Sequence, residues 1–117
     1  MAILLTARYW DCHFLFAMHR TLAVKHGIRP GDIDSVAFGE RPDLSGGLGE
    51  TYRFVAQLLR CGDVDDDTFA PVAKRWGQQG AVELIATVGF YSMLAMVLNV
   101  DRHPVPTTGQ LLPDLDR

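Results

Sequence analysis

Three side chains with reactive chemistry lie close together near the start of the chain, within ILLTARYWDCHFLFAMHRTLAVKHG at residues 3–27. Cys12 carries a thiol that could act as a nucleophile, and His19 carries an imidazole suited to a general acid, a general base or a substrate-positioning group. Each also has a structural explanation, because a cysteine is often a small core residue and a histidine often bonds a backbone carbonyl or a neighbouring subunit. His13, six residues from His19, falls on another helical face and is expected at the surface or an interface.

Three further polar side chains could complete a site around His19. Arg8 precedes His19 by eleven residues, about three helical turns, so on a continuous helix it could bind an anionic substrate or pair with Glu83. Asp11 precedes it by eight residues and could orient the imidazole. Tyr91 could donate to a substrate oxygen or simply find a partner between helices.

The spacing of the ligand-type residues predicts neither a metal nor a cofactor. His19 and His26 are seven residues apart, and the sequence has no HxxxH or HExxH pattern. The glycines of GGLG at residues 46–49 follow no strand-like run, so a phosphate-binding loop is not indicated.

The pattern of apolar residues, glycines and prolines predicts an all-α chain of about five helices. Residues 3–27 contain no Pro or Gly before Gly27, which predicts one long, nearly enclosed helix closed by a left-handed glycine. Further helices are predicted from Pro30 for about two turns, from residue 48 or 50 to 62, and after an Asp65 N-cap. That last helix is predicted from about Asp66 to Trp76, and Pro71 predicts either that its regular part begins near residue 70 or that it is distorted there. Glycines 77 and 80 separate it from an apolar helix over residues 81–100.

Composition and charge indicate a small single-domain protein that does not bind nucleic acid. The 117 residues and 13.0 kDa fit one domain, and a net charge of -3 offers no basic surface for nucleic acid. The N-terminus lacks a basic segment, and Arg8 and Asp11 interrupt its apolar run, so we expect no signal peptide, no membrane span and a cytoplasmic protein with reduced thiols. Two long apolar helices exceed what so short a chain can cover, which predicts a homo-oligomer.

Several landmarks in this order resemble the carboxymuconolactone decarboxylase family, which includes the alkylhydroperoxidase AhpD group. The resemblance covers residues 2–106 and rests on the segment at 3–27, on GDIDSVAFGERPDL, and on GFYSMLAMVLN around Tyr91. It implies a domain over residues 1–106 with an AhpD-like helical bundle. It also implies assembly into trimers or hexamers and a small-molecule substrate. Three prolines and the lack of a helical period after Asn99 predict that the tail, residues 107–117, is extended.

The sequence departs from the family at the expected site. Peroxidase members carry CxxC and then a histidine three residues later; here Cys12 matches the first cysteine and Leu15 replaces the second. A subgroup without CxxC has Glu-Trp at the positions of Leu15 and Phe16. The family's relay glutamate would align at about Met1 or before it, so the chain is expected to be shortened at its N-terminus.

Three hypotheses from different classes follow. The first is a cofactor-free lyase, in which His19 transfers a proton and Arg8 binds the anionic group of a small lactone or carboxylic acid. The second is an alkylhydroperoxidase-like redox protein that uses Cys12, with Cys61 as its partner. The third is a non-catalytic helical oligomer with a degenerate site. Leu15 counts against the first two because it removes the family's acid or thiol.

Overall fold

The computed structural model describes residues 1–106 and 111–115, and this part of the chain consists of helices and connections without strands. The five helices are α1 (Ala2–Tyr9), α2 (His13–Lys25), α3 (Pro30–Ala37), α4 (Gly46–Cys61) and α5 (Asp66–Asp101). The all-α prediction is therefore confirmed. α5 is the long central element, and it packs against α1 and α4.

The predicted continuous helix over residues 3–27 is wrong, because the chain breaks between α1 and α2. The N–H of Cys12 donates to the carbonyl of Ala7 at 2.8 Å, and Asp11 adopts a left-handed φ of 51°. Asp tolerates this conformation better than most residues do. The side-chain amide of Asn99 in α5 donates to the carbonyl of Trp10 at 2.7 Å, so a distant residue satisfies a backbone group released by the break.

α5 consists of two helical segments joined at Gly77, where φ is 75° and ψ is 175°. This kink agrees with the predicted separation at residues 77–80. The helix begins at Asp66 after an Asp65 N-cap, as predicted, and the alternative of a regular start near residue 70 is wrong because the helix includes Pro71. Pro71 removes the hydrogen bond to the carbonyl of Asp67, and Asp67 is exposed, so water can replace the missing donor.

The core has two parts. The larger part joins α1, α2, α3, the second half of α5 and the C-terminal segment; its members include Leu4, Leu15, Phe16, Ile33, Val36, Ala95 and Leu112. The smaller part lies between α4 and α5 and is formed by Phe54, Val72 and Ala81. Residues 111–115 have no regular secondary structure, yet Leu112 is buried in the larger part.

The outer surface of α5 is apolar. After the kink at Gly77, its exposed large side chains are Val82, Ile85, Phe90, Met93, Met96, Val97 and Val100, which we call the α5 face. By length and composition alone α5 could also cross a bilayer, with a mean hydropathy of 1.9 in its most apolar window. Core helices of soluble proteins pass the same test but are mostly buried, whereas only 17% of this window is buried.

Replacing Asp65 with alanine should lower the melting temperature at pH 7. Its carboxylate accepts from the N–H of Thr68 at 2.8 Å, as the predicted N-cap requires, and from the Gln57 side chain at 3.0 Å. The bonds from Gln57 and Thr68 lower the pKa of Asp65 from its ordinary value of 3.8. The charged form therefore stabilises the fold above about pH 4, and that contribution disappears as the pH falls through the lowered pKa.

Thermal melts between pH 7 and pH 2 measure this effect. The difference between the wild type and D65A should shrink towards pH 2, where the wild-type carboxyl is also protonated. D66A, which removes a neighbouring acid that does not form the cap, provides the matched control. A pH-independent difference would show that the cap is not the source of the effect.

Candidate functional site

His19 lies on α2 in an orientation fixed by two contacts. Its Nδ1 is 3.0 Å from the carbonyl oxygen of Leu15, and because a carbonyl only accepts, Nδ1 must carry a proton. In the neutral ring, Nε2 is then the acceptor. The ring also meets the edge of Tyr91 from α5, with centroids 5.5 Å apart and planes at 79°. The structure thus brings together two of the predicted site residues, His19 and Tyr91.

The surroundings of His19 are less enclosed than a typical enzyme pocket. His19 and Tyr91 are both half-buried. The five main cavities formed by the described residues do not include His19 in their walls. Leu15, whose carbonyl accepts from His19, is buried in the core. A substrate at His19 would therefore need a further wall.

Arg8 and Asp11 lie on the other side of the helix break. An Arg8 guanidinium nitrogen is 3.3 Å from the Asp11 carboxylate, and Arg8 is only 6% exposed. Arg8 lines a cavity of about 200 Å³ between α1, α3 and α4, together with Tyr9 and Tyr52. Arg8 and Asp11 were expected on the face of His19 because the turns were counted along one continuous helix. Since α1 and α2 are separate helices, that expectation is wrong. Glu83, the alternative partner considered for Arg8, accepts a hydrogen bond from Gln79.

Cys12 is poorly placed for thiol chemistry. It is 1% exposed at the start of α2. Burial raises the pKa of its thiol, and the nearby backbone N–H groups of Leu15 and Phe14 oppose this effect only in part. A peroxidase requires an accessible thiolate, which both properties disfavour. Cys61 is exposed at the end of α4, and both cysteines are free thiols.

The C-terminal segment supplies contacts that the sequence does not indicate. The N–H of Leu112 donates to Nδ1 of His13 at 2.9 Å. His103 meets the ring of Phe14 edge-on at 4.4 Å between centroids. A cavity of about 400 Å³ lies between these two histidines. Such contacts join residues about ninety positions apart in sequence, so no local pattern could reveal them.

The largest cavity lies over α2 and α3 and measures about 830 Å³. Its walls are mainly apolar and include Phe16, Leu22, Phe38 and Leu112, with an Arg20 to Asp34 ion pair at its rim. In the described part of the chain, no three His, Cys, Asp or Glu side chains lie close enough together to hold a metal ion.

Comparison of the chain with known protein families, with curated proteins and with solved structures finds no match.

Proposed function

We propose that this protein is a carboxymuconolactone decarboxylase-like lyase, in which His19 and Tyr91 form a proton-transfer pair for a small lactone or carboxylic acid. The observation that carries the proposal is the bond between Nδ1 of His19 and the carbonyl of Leu15. This bond fixes the tautomer and leaves Nε2 as the basic nitrogen of the neutral ring. The resemblance of the segments around both residues to the family supports the same assignment.

The chemistry needs no cofactor. Loss of carbon dioxide from a carboxylate leaves an electron pair on the substrate, which a neighbouring lactone carbonyl can accept as an enolate. The Tyr91 hydroxyl would stabilise the enolate oxygen by donating a hydrogen bond. His19, after taking a proton from water at Nε2, would then donate that proton to the enolate carbon and return to its neutral form. Arg8 and Asp11 remain predictions as substrate-binding residues, and the walls of the small cavity beside Arg8 include neither His19 nor Tyr91.

Assembly completes the proposed site. A second copy seated on the α5 face would lie beside Tyr91, because Phe90 of that face meets the Tyr91 ring edge-on at 5.2 Å between centroids. Such a copy would supply the wall that His19 lacks within one chain. We therefore propose a cytoplasmic homo-oligomer, a trimer or hexamer as the family resemblance implies, that binds a small molecule and no nucleic acid or membrane.

Replacing His19 with glutamine should lower kcat/KM for a carboxymuconolactone at least a hundredfold, because general acid–base groups contribute about 10²–10⁴ in rate. Loss of lactone absorbance measures the rate. H26Q is the matched control, since His26 is an exposed histidine just after the same helix and should be replaceable without loss. Equal turnover by the wild type and H19Q would refute the role of His19.

A non-catalytic helical oligomer is the second candidate. The burial of Leu15 in the core and the absence of His19 from the main cavity walls favour it. An oligomeric wild type that turns over no lactone would support this candidate instead of the lyase. Nothing in the described residues favours the redox alternative, given the buried Cys12.

A further inference from the structure

Residues 111–115 lie across α2 and α3 and are held by one hydrogen bond and two leucines; we call this segment the strap. Leu112 donates its N–H to Nδ1 of His13 at 2.9 Å, and its side chain is 6% exposed. A Leu115 methyl carbon lies 3.0 Å from the point where a Cβ on Gly39 would stand, so Leu115 packs closely over the end of α3. The strap also walls the largest cavity.

The bond to Leu112 requires a neutral His13. A backbone N–H only donates, so Nδ1 must offer a lone pair, and the neutral ring then carries its proton on Nε2. Protonation converts Nδ1 into a second donor and leaves the buried Leu112 N–H without its acceptor. It also places a positive charge at the first residue of α2, where the helix dipole disfavours cations.

We propose that the strap is a pH-sensitive cover, which docks on α2 when His13 is neutral and is released when His13 is protonated. Release withdraws Leu112 and Pro113 from the wall of the cavity over α2 and α3, and so opens the apolar groove that contains Phe16 and Phe38. His13 lies at the start of α2, at the opposite end of the helix from Lys25. The proposed release of the strap does not depend on catalysis by His19.

Charged and titratable side chains from each element that packs against His13 lie around it. Asp11 and Cys12 precede it, and Arg102 and His103 from the end of α5 share its 400 Å³ cavity. His103 in turn contacts Asp101 at 3.3 Å, and Asp114 belongs to the strap itself. Arg102 opposes a second positive charge at His13, whereas Asp11 favours one.

The direction of the effect follows from proton counting. The docked strap needs an unprotonated Nδ1 on His13, so docking weakens as the pH falls. Imidazoles gain a proton between about pH 8 and pH 5, which sets the range for the measurement.

NMR of the full chain with labelled leucine methyl groups tests the proposal. Between pH 8 and pH 5, the methyl signals of Leu112 and Leu115 should move from dispersed to random-coil positions, with the same midpoint as the His13 ring. H13Q offers a carbonyl acceptor that does not titrate, so its strap should stay docked throughout. H13F offers no acceptor, so its strap should already be released at pH 8, and far-ultraviolet circular dichroism verifies that its helices remain.

The H103Q variant separates the two histidines that share the cavity. It should retain the pH response of the wild type, because His103 does not accept from the strap in this arrangement. Loss of the response in H103Q, persistence of it in H13Q, or wild-type methyl signals that do not change with pH would each overturn the proposal.

Discussion

Replacing both Met93 and Val97 with glutamate should convert the proposed homo-oligomer into a 13.0 kDa monomer. Both side chains lie on the α5 face and are 54% and 58% exposed within one chain. Each glutamate would have to be buried without a counter-charge if a second copy covered this face, at a cost of roughly 3–5 kcal/mol. The dissociation constant should therefore rise at least about a thousandfold.

The area of the α5 face is sufficient for a stable contact. Large apolar side chains expose on the order of 200 Å² when fully accessible, so the seven partly exposed ones leave about 800 Å². Two copies would then bury about 1,600 Å² together if the whole face were covered, within the range of specific protein interfaces. A flat stripe of this size is uncommon on a monomer unless it serves as a binding surface.

The spacing along α5 also suits helix pairing. Exposed residues recur at steps of four and three residues, at Val82, Ala86, Gly89, Met93, Met96 and Val100. The same spacing is typical of the seam between two helices that lie side by side. A Cβ on Gly89 would meet nothing within 4 Å, so packing inside the chain does not explain a glycine that costs about 1 kcal/mol in a helix. Close approach of a second α5, as proposed, would explain it.

Light scattering coupled to size-exclusion chromatography measures the mass of each variant. The wild type should give a multiple of 13.0 kDa, and the mass decides between a trimer, a hexamer and another assembly. Q78E is the matched control, because it adds an acid to an exposed position of α5 outside the face. A monomeric wild type, or a double variant with wild-type mass, would show that the α5 face is not the contact.

The sequence predicts most helix ends because glycine and proline mark them locally. Pro30 occupies the first turn of α3, and Gly62 ends α4 with a φ of 68°, both as expected. The kink at Gly77 follows from the same rule. These features depend on the conformational preferences of single residues, so they can be identified without knowledge of the packing.

The break between α1 and α2 could not be predicted in this way. No Gly or Pro marks it, and the bond from Asn99 to the Trp10 carbonyl depends on how α5 packs against α1. The error affected the candidate site, because Arg8 and Asp11 were placed by counting turns along an unbroken helix. His19 and Tyr91 meet as a pair, yet the sequence could only nominate them separately. The bond between His13 and Leu112 likewise arises from tertiary packing.

Replacing Gly49 with alanine should destabilise the fold by about 3 kcal/mol and lower the melting temperature by about 10 °C. Gly49 is buried in the first turn of α4, which begins at Gly46, earlier than the predicted residue 48 or 50. A Cβ there would stand 2.7 Å from the carbonyl oxygen of Leu44. The obstacle is backbone, so no rotation of a side chain can relieve it, and the connection from α3 would have to move.

Gly31 provides the matched control because it is an exposed glycine in the first turn of α3, with nothing within 4 Å of a Cβ. G31A should raise stability by roughly 0.5–1 kcal/mol, since alanine lowers the entropy of the unfolded chain. Thermal melts of both variants at one protein concentration separate the close approach at Gly49 from the general effect of alanine in a helix. Stabilisation of both variants would mean that Leu44 does not contact α4 at this distance, and that the second glycine of GLG is not needed for the turn into α4.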